Sequence, residues 1–322
     1  MRRTAGVIAR TCLAGAIALP LVALVQACTA SPGADPVAPP SAPAVTNPVS
    51  SPVTSPVTSV SPGRSGPPVV ASPAARHQDP FGPAAASYVT GRTGTVTAAV
   101  YDVTTGQTWT FGSTRPQAEA SIVKLDILEA LYARHGGGTG GLPASDVPLA
   151  QQMMEDSDND AATSLWYAAG GPSQIASFNS SAGLTHTSPS SCVQCPGFPW
   201  PGWGLSTTTP TDQLTLLREL ISPSSLLTSA QRSSALELME NVTPAQRWGV
   251  SGGVPSQATV ALKDGWLPLN AASTNWQVNS IGWVSGGGRG YLMAVLTTGN
   301  PSEQYGITTI DQLAALVWRH MA

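Results

Sequence analysis

Between Thr29 and Gln78 the chain is built almost wholly from Pro, Ser, Thr, Val and Ala, with the near-repeat Ser-Pro-Val-Thr-Ser-Pro-Val-Thr inside it. Proline removes the backbone donor that helices and central strands need, and the other side chains are too small or too polar to bury a core. An extended, solvated tether is therefore predicted over 28–78. It separates an apolar leader, 1–27, from a stretch, 79–322, of the size of one domain. Charged residues make up only 10% of the chain and the formal net charge is −3. Nothing in that balance asks for a nucleic-acid partner.

The leader opens with Arg2, Arg3 and Arg10 and continues as an apolar run from about Thr11 to Ala27. That is a signal-peptide pattern, too short for a membrane span. It ends at Val25-Gln26-Ala27-Cys28, which resembles the lipobox of bacterial lipoproteins. The resemblance implies export, with Cys28 as a lipidated first residue, and places the chain on a membrane or outside the cell. Simple secretion and an uncleaved anchor are the alternatives. Outside the cytoplasm the remaining pair, Cys192 and Cys195, reads first as a disulfide. A metal site needs two more ligands and only His186 lies nearby in sequence, so no metal or other cofactor is expected. Pro196-Gly197 after the second Cys argues against a thioredoxin-like helix.

From residue 79 the elements come in blocks. Thr95–Val103 and Thr108–Phe111 flank a Gly turn as a β-hairpin. Apolar residues at three-to-four spacing then predict helices over Ile122–Arg134, Val147–Met154, Asp160–Ala169, Gln174–Ser181, Thr211–Ile221 and Ala230–Met239. Strands return at Ala258–Leu262, Trp276–Trp283 and Tyr291–Thr298, the last two joined through the Gly-rich turn 286–290, and Thr308–His320 closes as a helix. Strands at both ends around a helical block predict an α+β domain: one antiparallel sheet packed with helices, plus an all-helical lobe.

Lysine occurs only at Lys124 and Lys263, against thirteen arginines. Arginine cannot lose its proton inside a protein, whereas lysine can, and lysine is also a compact point charge. Both lysines thus stand where arginine does not serve. Ser121-Ile122-Val123-Lys124 places a hydroxyl and an amine on one face at a helix start, where the amine can take the serine proton. A capping serine beside a surface lysine has the same spelling. Ser157-Asp158-Asn159 falls between two helices and reads equally as a helix cap. Lys263-Asp264-Gly265, ahead of Trp266, offers a cation and close backbone approach, or a plain Asp-Gly turn.

In this order the three motifs resemble those of the penicillin-recognising serine hydrolases, class A β-lactamases especially. Asp160-Ala161-Ala162, Gly170-Gly171-Pro172 and Thr207-Thr208-Thr209-Pro210 extend the likeness. The resemblance implies a β-lactamase/transpeptidase-like fold and a monomer that meets a β-lactam or a peptidoglycan peptide. It implies Ser121 as nucleophile, Lys124 as general base, and Ser157 as proton relay to the leaving nitrogen. Asn159 would hold the substrate amide, Lys263 its carboxylate, and Asp158 would be structural. Gly265 would give the substrate room, and the backbone N–H groups of Ser121 and Trp266 would form the oxyanion hole.

The chain departs from that family in two places. No Asp or Glu occurs between Asp160 and Asp212, where class A enzymes carry the glutamate that activates the deacylating water. Asp264 stands where they have Thr, and an acid beside Lys263 is expected to weaken attraction for an anion. A weak or atypical hydrolase follows; the alternatives are a lipoprotein that binds penicilloyl or muropeptide ligands or acylates once, and a secreted esterase or peptidase on the same fold. His186 is a candidate substitute base, though a histidine before a Pro-rich loop reads first as surface. Trp200 and Trp203 would roof the site or merely pack. Gly249-Val250-Ser251-Gly252-Gly253 matches the Gly-x-Ser-x-Gly elbow but lacks the strand before and helix after that the elbow needs.

Overall fold

A computed structural model describes residues 78–135, 141–197, 201–270 and 272–321. The leader, Cys28, the tether up to residue 77 and Trp200 lie outside the described residues. In chain order the elements are α1 (Pro83–Thr90), β1 (Thr95–Asp102), β2 (Thr108–Phe111), β3 (Gln117–Ala118), α2 (Val123–Arg134), α3 (Val147–Glu155), α4 (Asn159–Ala168) and α5 (Gly171–Ala182). Then follow β4 (Thr207–Thr208), α6 (Pro210–Ile221), α7 (Ser229–Glu240), β5 (Thr259–Pro268), β6 (Trp276–Gly286), β7 (Arg289–Asn300) and α8 (Glu303–His320).

Five strands form one antiparallel sheet in the order β2-β1-β7-β6-β5. Its middle strand, β7, is buried from Tyr291 through Leu296 without a break, because helices cover both faces. On one face lie α1 and α8; the latter buries Ile310, Leu313, Ala314 and Val317, a three-and-four spacing that makes one apolar stripe. On the other face lies the helical lobe, centred on α2. This helix is buried from Val123 to Tyr132, with Leu125, Leu128 and Leu131 in the core. Truncating a fully buried leucine such as Leu128 to alanine would cost about 2–5 kcal/mol.

Local chemistry sets the helix starts. Thr209 accepts a hydrogen bond from the Asp212 amide ahead of Pro210, and Thr228 with Gln231 forms a reciprocal cap on α7. The observed α+β arrangement is the one read from the blocks, with a small second sheet of β3 and β4 added and several bounds shifted. Helix α1, an Ala-rich turn with Pro at its first position, has no strong apolar period and escapes notice. Helix α8 begins at Glu303, because Ser302 caps it through the Tyr305 amide. Strand β5 continues through Lys263-Asp264-Gly265-Trp266 to Pro268, paired throughout with β6. Polar residues interrupt the apolar run there, yet pairing and burial carry the strand on. No helix among the described residues is long and apolar enough to cross a membrane.

Candidate active site

Ser121 sits in a 3₁₀ turn, Ala120–Ile122, that runs from β3 into α2. Ala120 there adopts φ 52°, a left-handed conformation costly for a residue with a Cβ. The segment is held from the sheet: Asn279, buried in β6, donates to the carbonyls of Ala118 (2.9 Å) and Glu119 (2.8 Å). Gln277 in turn donates to Asn279 at 2.7 Å. The sequence reading missed Asn279. Its signal was an amide at the middle of the strand run Trp276–Trp283, beside the polar Gln277 and Ser280.

Lys124 opens α2 and is fully buried. Its Nζ lies 3.0 Å from Ser121 Oγ, 2.6 Å from the Ser157 carbonyl, 3.0 Å from Ser157 Oγ and 2.8 Å from Asn159 Oδ1. Ser157 occupies the short link between α3 and α4 with φ 59°, a second strained residue. Asp158 caps α4 by accepting from the Ala161 amide at 2.7 Å, which leaves Ser157 and Asn159 to face the lysine. Lys263, buried on β5, reaches Ser157 Oγ at 3.0 Å and the Asp264 carbonyl at 3.1 Å. One serine hydroxyl thus stands between two buried amines.

Burial, and after it the neighbouring Lys263, pushes Lys124 well below the usual lysine range, while Asp158 opposes the shift. Burial lowers Lys263 to about 8, with Asp264 pulling the other way.

Gly265 explains itself by space. A Cβ there would sit 2.5 Å from the Ser121 amide nitrogen, so strand and nucleophile turn approach as closely as they do only without a side chain. Trp266 follows, half-buried, with its ring against Trp248 (centroids 5.9 Å). Asp264 still pulls on Lys263, but its side chain does not stand on the site face of the strand. Side chains alternate along a strand, so Asp264 turns to the face opposite Lys263 and Gly265. There it is fully buried and accepts from the Trp248 amide at 3.3 Å. Burial pushes its carboxyl well above the usual carboxylate range, towards the neutral form.

The loop before β4 carries no acid to Ser121. It brings Trp203 instead, 5% exposed, whose ring centroid lies 5.0 Å from Lys124 Nζ. The indole N–H donates to Thr163 Oγ1 at 3.1 Å. Cys192 and Cys195 are joined by a disulfide, Cα–Cα 5.7 Å. The Cys192 carbonyl accepts from the Gly202 amide at 2.7 Å, and Cys195 Sγ leaves no room for a Cβ at 202. The disulfide thereby fixes the residue next to Trp203. His186 lies elsewhere: its side chain is 62% exposed, and its Nδ1 pairs with Thr185 Oγ1 at 2.9 Å.

Two hollows meet at Ser121. One, about 70 Å³, is bounded by Ser121, Asn159, Trp203 and Leu267. The other, about 450 Å³, runs from Ser121, Ser157 and Asn159 along the end of β5. Among the described residues no group of three His, Cys, Asp or Glu is placed to hold a metal. Gly249–Ser251 is a lone 3₁₀ turn preceded by another, Pro244–Gln246, without the strand and helix of a nucleophile elbow.

Comparisons with known proteins agree with this architecture. The family model described as the beta-lactamase enzyme family matches residues 136–321, a stretch that holds Ser157, Asn159 and Lys263 but begins after Ser121 and Lys124. The protein named "Putative lipoprotein LppW" of Mycobacterium tuberculosis (strain ATCC 25618 / H37Rv) is 28% identical over 224 residues, 68% of each chain. A class A β-lactamase from Mycobacterium abscessus matches in structure with a TM-score of 0.61 at 24% identity, covering 73% of this chain and 96% of that one. The TLA-1 extended spectrum β-lactamase matches with a TM-score of 0.65 at 17% identity, covering 74% and 96%. At such identities the structural likeness speaks for the fold.

Proposed function

Because the chain belongs to the beta-lactamase enzyme family, we propose that it is a serine hydrolase that forms an acyl-enzyme on Ser121, with a β-lactam or an acyl-D-Ala-D-Ala-like peptide as donor. The observation that carries this reading is the relay Ser121 Oγ–Lys124 Nζ–Ser157 Oγ–Lys263 Nζ, 3.0 Å at every step.

Four oxygens surround Lys124 Nζ, and burial pushes the amine towards its neutral form. Its two N–H groups go to the Ser157 carbonyl and Asn159 Oδ1, which can only accept, and its lone pair accepts from the Ser121 hydroxyl. That is a base in position. As Ser121 Oγ bonds to the carbonyl carbon, its proton passes to Lys124 and the carbonyl π electrons move to oxygen.

The Asp264 carbonyl points out of the sheet towards Lys263, so the Trp266 N–H, two residues on, points the same way. With the Ser121 N–H it provides the two donors of an oxyanion hole. On collapse the C–N bond breaks, Ser157 protonates the leaving nitrogen, and Lys124 returns a proton to Ser157. The nitrogen gains one proton, Ser157 recovers its hydroxyl and Lys124 is neutral again, so the net change is one proton moved from Ser121 to the leaving nitrogen. Lys263, positive below about pH 8, attracts the donor's carboxylate, and Asn159 holds its amide.

Release of the acyl group needs a water and a base. The small hollow beside Ser121 is roofed by Trp203 and floored by Leu267, so a water there finds few polar partners. Lacking a loop carboxylate, release slows by a general-base factor of about 10²–10⁴. This favours a slow hydrolase, with a protein that acylates once and holds the adduct as the second reading.

Intact mass after mixing with a penicillin, beside Ser121→Ala, tests the proposal. A long-lived adduct that needs Ser121 is the expected result. An adduct that survives Ser121→Ala would sink the assignment. The same measurement on membrane-extracted protein reads the lipid mass expected on Cys28, a modification supported by the relative named as a lipoprotein.

A further inference from the structure

The larger hollow is chemically one-sided. Beyond Ser121 it is bordered by Asp156, Gln246, Trp266 and Trp276. Asp156 is exposed and its carboxylate has no side-chain partner among the described residues. The Gln246 side-chain carbonyl is shielded from solvent and accepts no hydrogen bond. Both indoles are half-buried, and Trp266 is backed by Trp248. A carboxylate, a bare carbonyl and two indole faces all attract positive charge.

The amines nearest this hollow, Lys124 and Lys263, are buried and turned to Ser157, and Arg247, next to Gln246, donates to the carbonyls of Glu240 and Val260 instead. No Lys or Arg occurs between Arg134 and Arg218, so the helical wall, which includes Glu155, Asp156, Asp158 and Asp160, carries acids alone. On the strand wall Lys263 is the sole cationic residue between Arg247 and Arg289, and it is fully buried. Asp156 also caps the C-terminal end of α3, where the helix dipole disfavours an acid and favours a cation. The fold therefore has no use for a carboxylate at this position.

We propose that Asp156, with Gln246 and the indoles of Trp266 and Trp276, forms a receptor for an alkyl ammonium group carried by the acyl donor. The donor is then zwitterionic: its carboxylate lies towards Lys263 and its ammonium towards Asp156, on either side of the carbonyl that Ser121 attacks. This specificity rests on the acyl-enzyme reading above, since it describes the donor of that reaction.

Two penicillins that differ only by an α-ammonium on the side chain test it. At pH 6.5 and low salt, the second-order rate of adduct formation is expected to be about tenfold higher for the ammonium form. The preference shrinks at high salt and disappears in Asp156→Asn, which is also expected to melt at a slightly higher temperature. Equal rates for the two penicillins, or a preference unchanged in Asp156→Asn, would overturn the receptor. A second measurement needs no acylation: calorimetric binding to Ser121→Ala of a lysine-bearing acyl-D-Ala-D-Ala peptide against its Nε-acetyl form. Tighter binding of the free amine, lost when Asp156→Asn is added, supports the receptor even if no adduct forms on wild type, in which case the acyl-enzyme reading alone falls. Adducts without discrimination would leave that reading standing and remove the receptor.

Discussion

Helix α2 buries charged side chains at two places and provides for them in opposite ways. Lys124, in its first turn, has four oxygen neighbours. Glu129 further along, and Glu119 just ahead of the helix, have neither carboxylate oxygen hydrogen-bonded, and Asp126 has one of two, taken by Asn179 at 2.8 Å. An ionised carboxylate without partners is too costly to bury, so these acids keep their protons. Burial, and next the neighbouring acids, pushes Glu119 and Glu129 well above the usual range; burial raises Asp126 to about 7. Burial pushes both groups of side chains towards the neutral form. The difference is that the lysine has hydroxyl neighbours with which to trade its proton, and the acids have none. Perturbation alone does not mark a catalytic group; perturbation with a partner does.

The sharpest way to break this contrast is at the lysine. Lys124→Ala should lower the rate of adduct formation by about 10²–10⁴, and Lys124→Arg should do little better, because arginine keeps its proton. Rates near wild type in either variant would show that Lys124 is a packing residue like its acidic neighbours.

A smaller effect lies in pH. Adduct formation needs Lys124 neutral and Lys263 charged. The rate should rise as Lys124 loses its proton, at a pH well below the ordinary 10.5, and fall as Lys263 loses its own near 8. Adduct rates measured from pH 5 to 10 check this; a profile still climbing above pH 9 contradicts it.

The acids should show only in stability. A carboxyl titrating near 7 in the folded chain and near 3.8 in the unfolded one binds its proton more tightly when folded. Its contribution is therefore complete below about pH 4 and is lost as pH rises towards 7. Melting temperature should decline over that window. Asp126→Asn should flatten the decline and raise melting at pH 8 by a few degrees, with adduct formation unaltered.

Much of this was legible beforehand for definite reasons. The three-residue spacing of Ser121 and Lys124 survives into geometry because a helix start imposes it. The scarcity of lysine singled out the same two amines that the fold buries. What escaped depends on which way a side chain points. Asp264 was read as a neighbour of Lys263 in sequence, although strand alternation sends the two to opposite faces. Asn279 works across strands, and no local pattern encodes that; Trp203, read as a roof or as packing, does lie over Lys124. Only the α+β class, set by blocks of period, was independent of such detail.

The order of the strands also bears on how the molecule is made. Val100 in β1 lies directly across from Met293 in β7, so the middle of the sheet cannot close until almost the whole chain has left the ribosome. Helix α6 packs on β7 and β1 and waits with them. Pairings so distant in sequence close slowly. Were the chain exported as its leader suggests, this delay would keep it threadable while it is being synthesised.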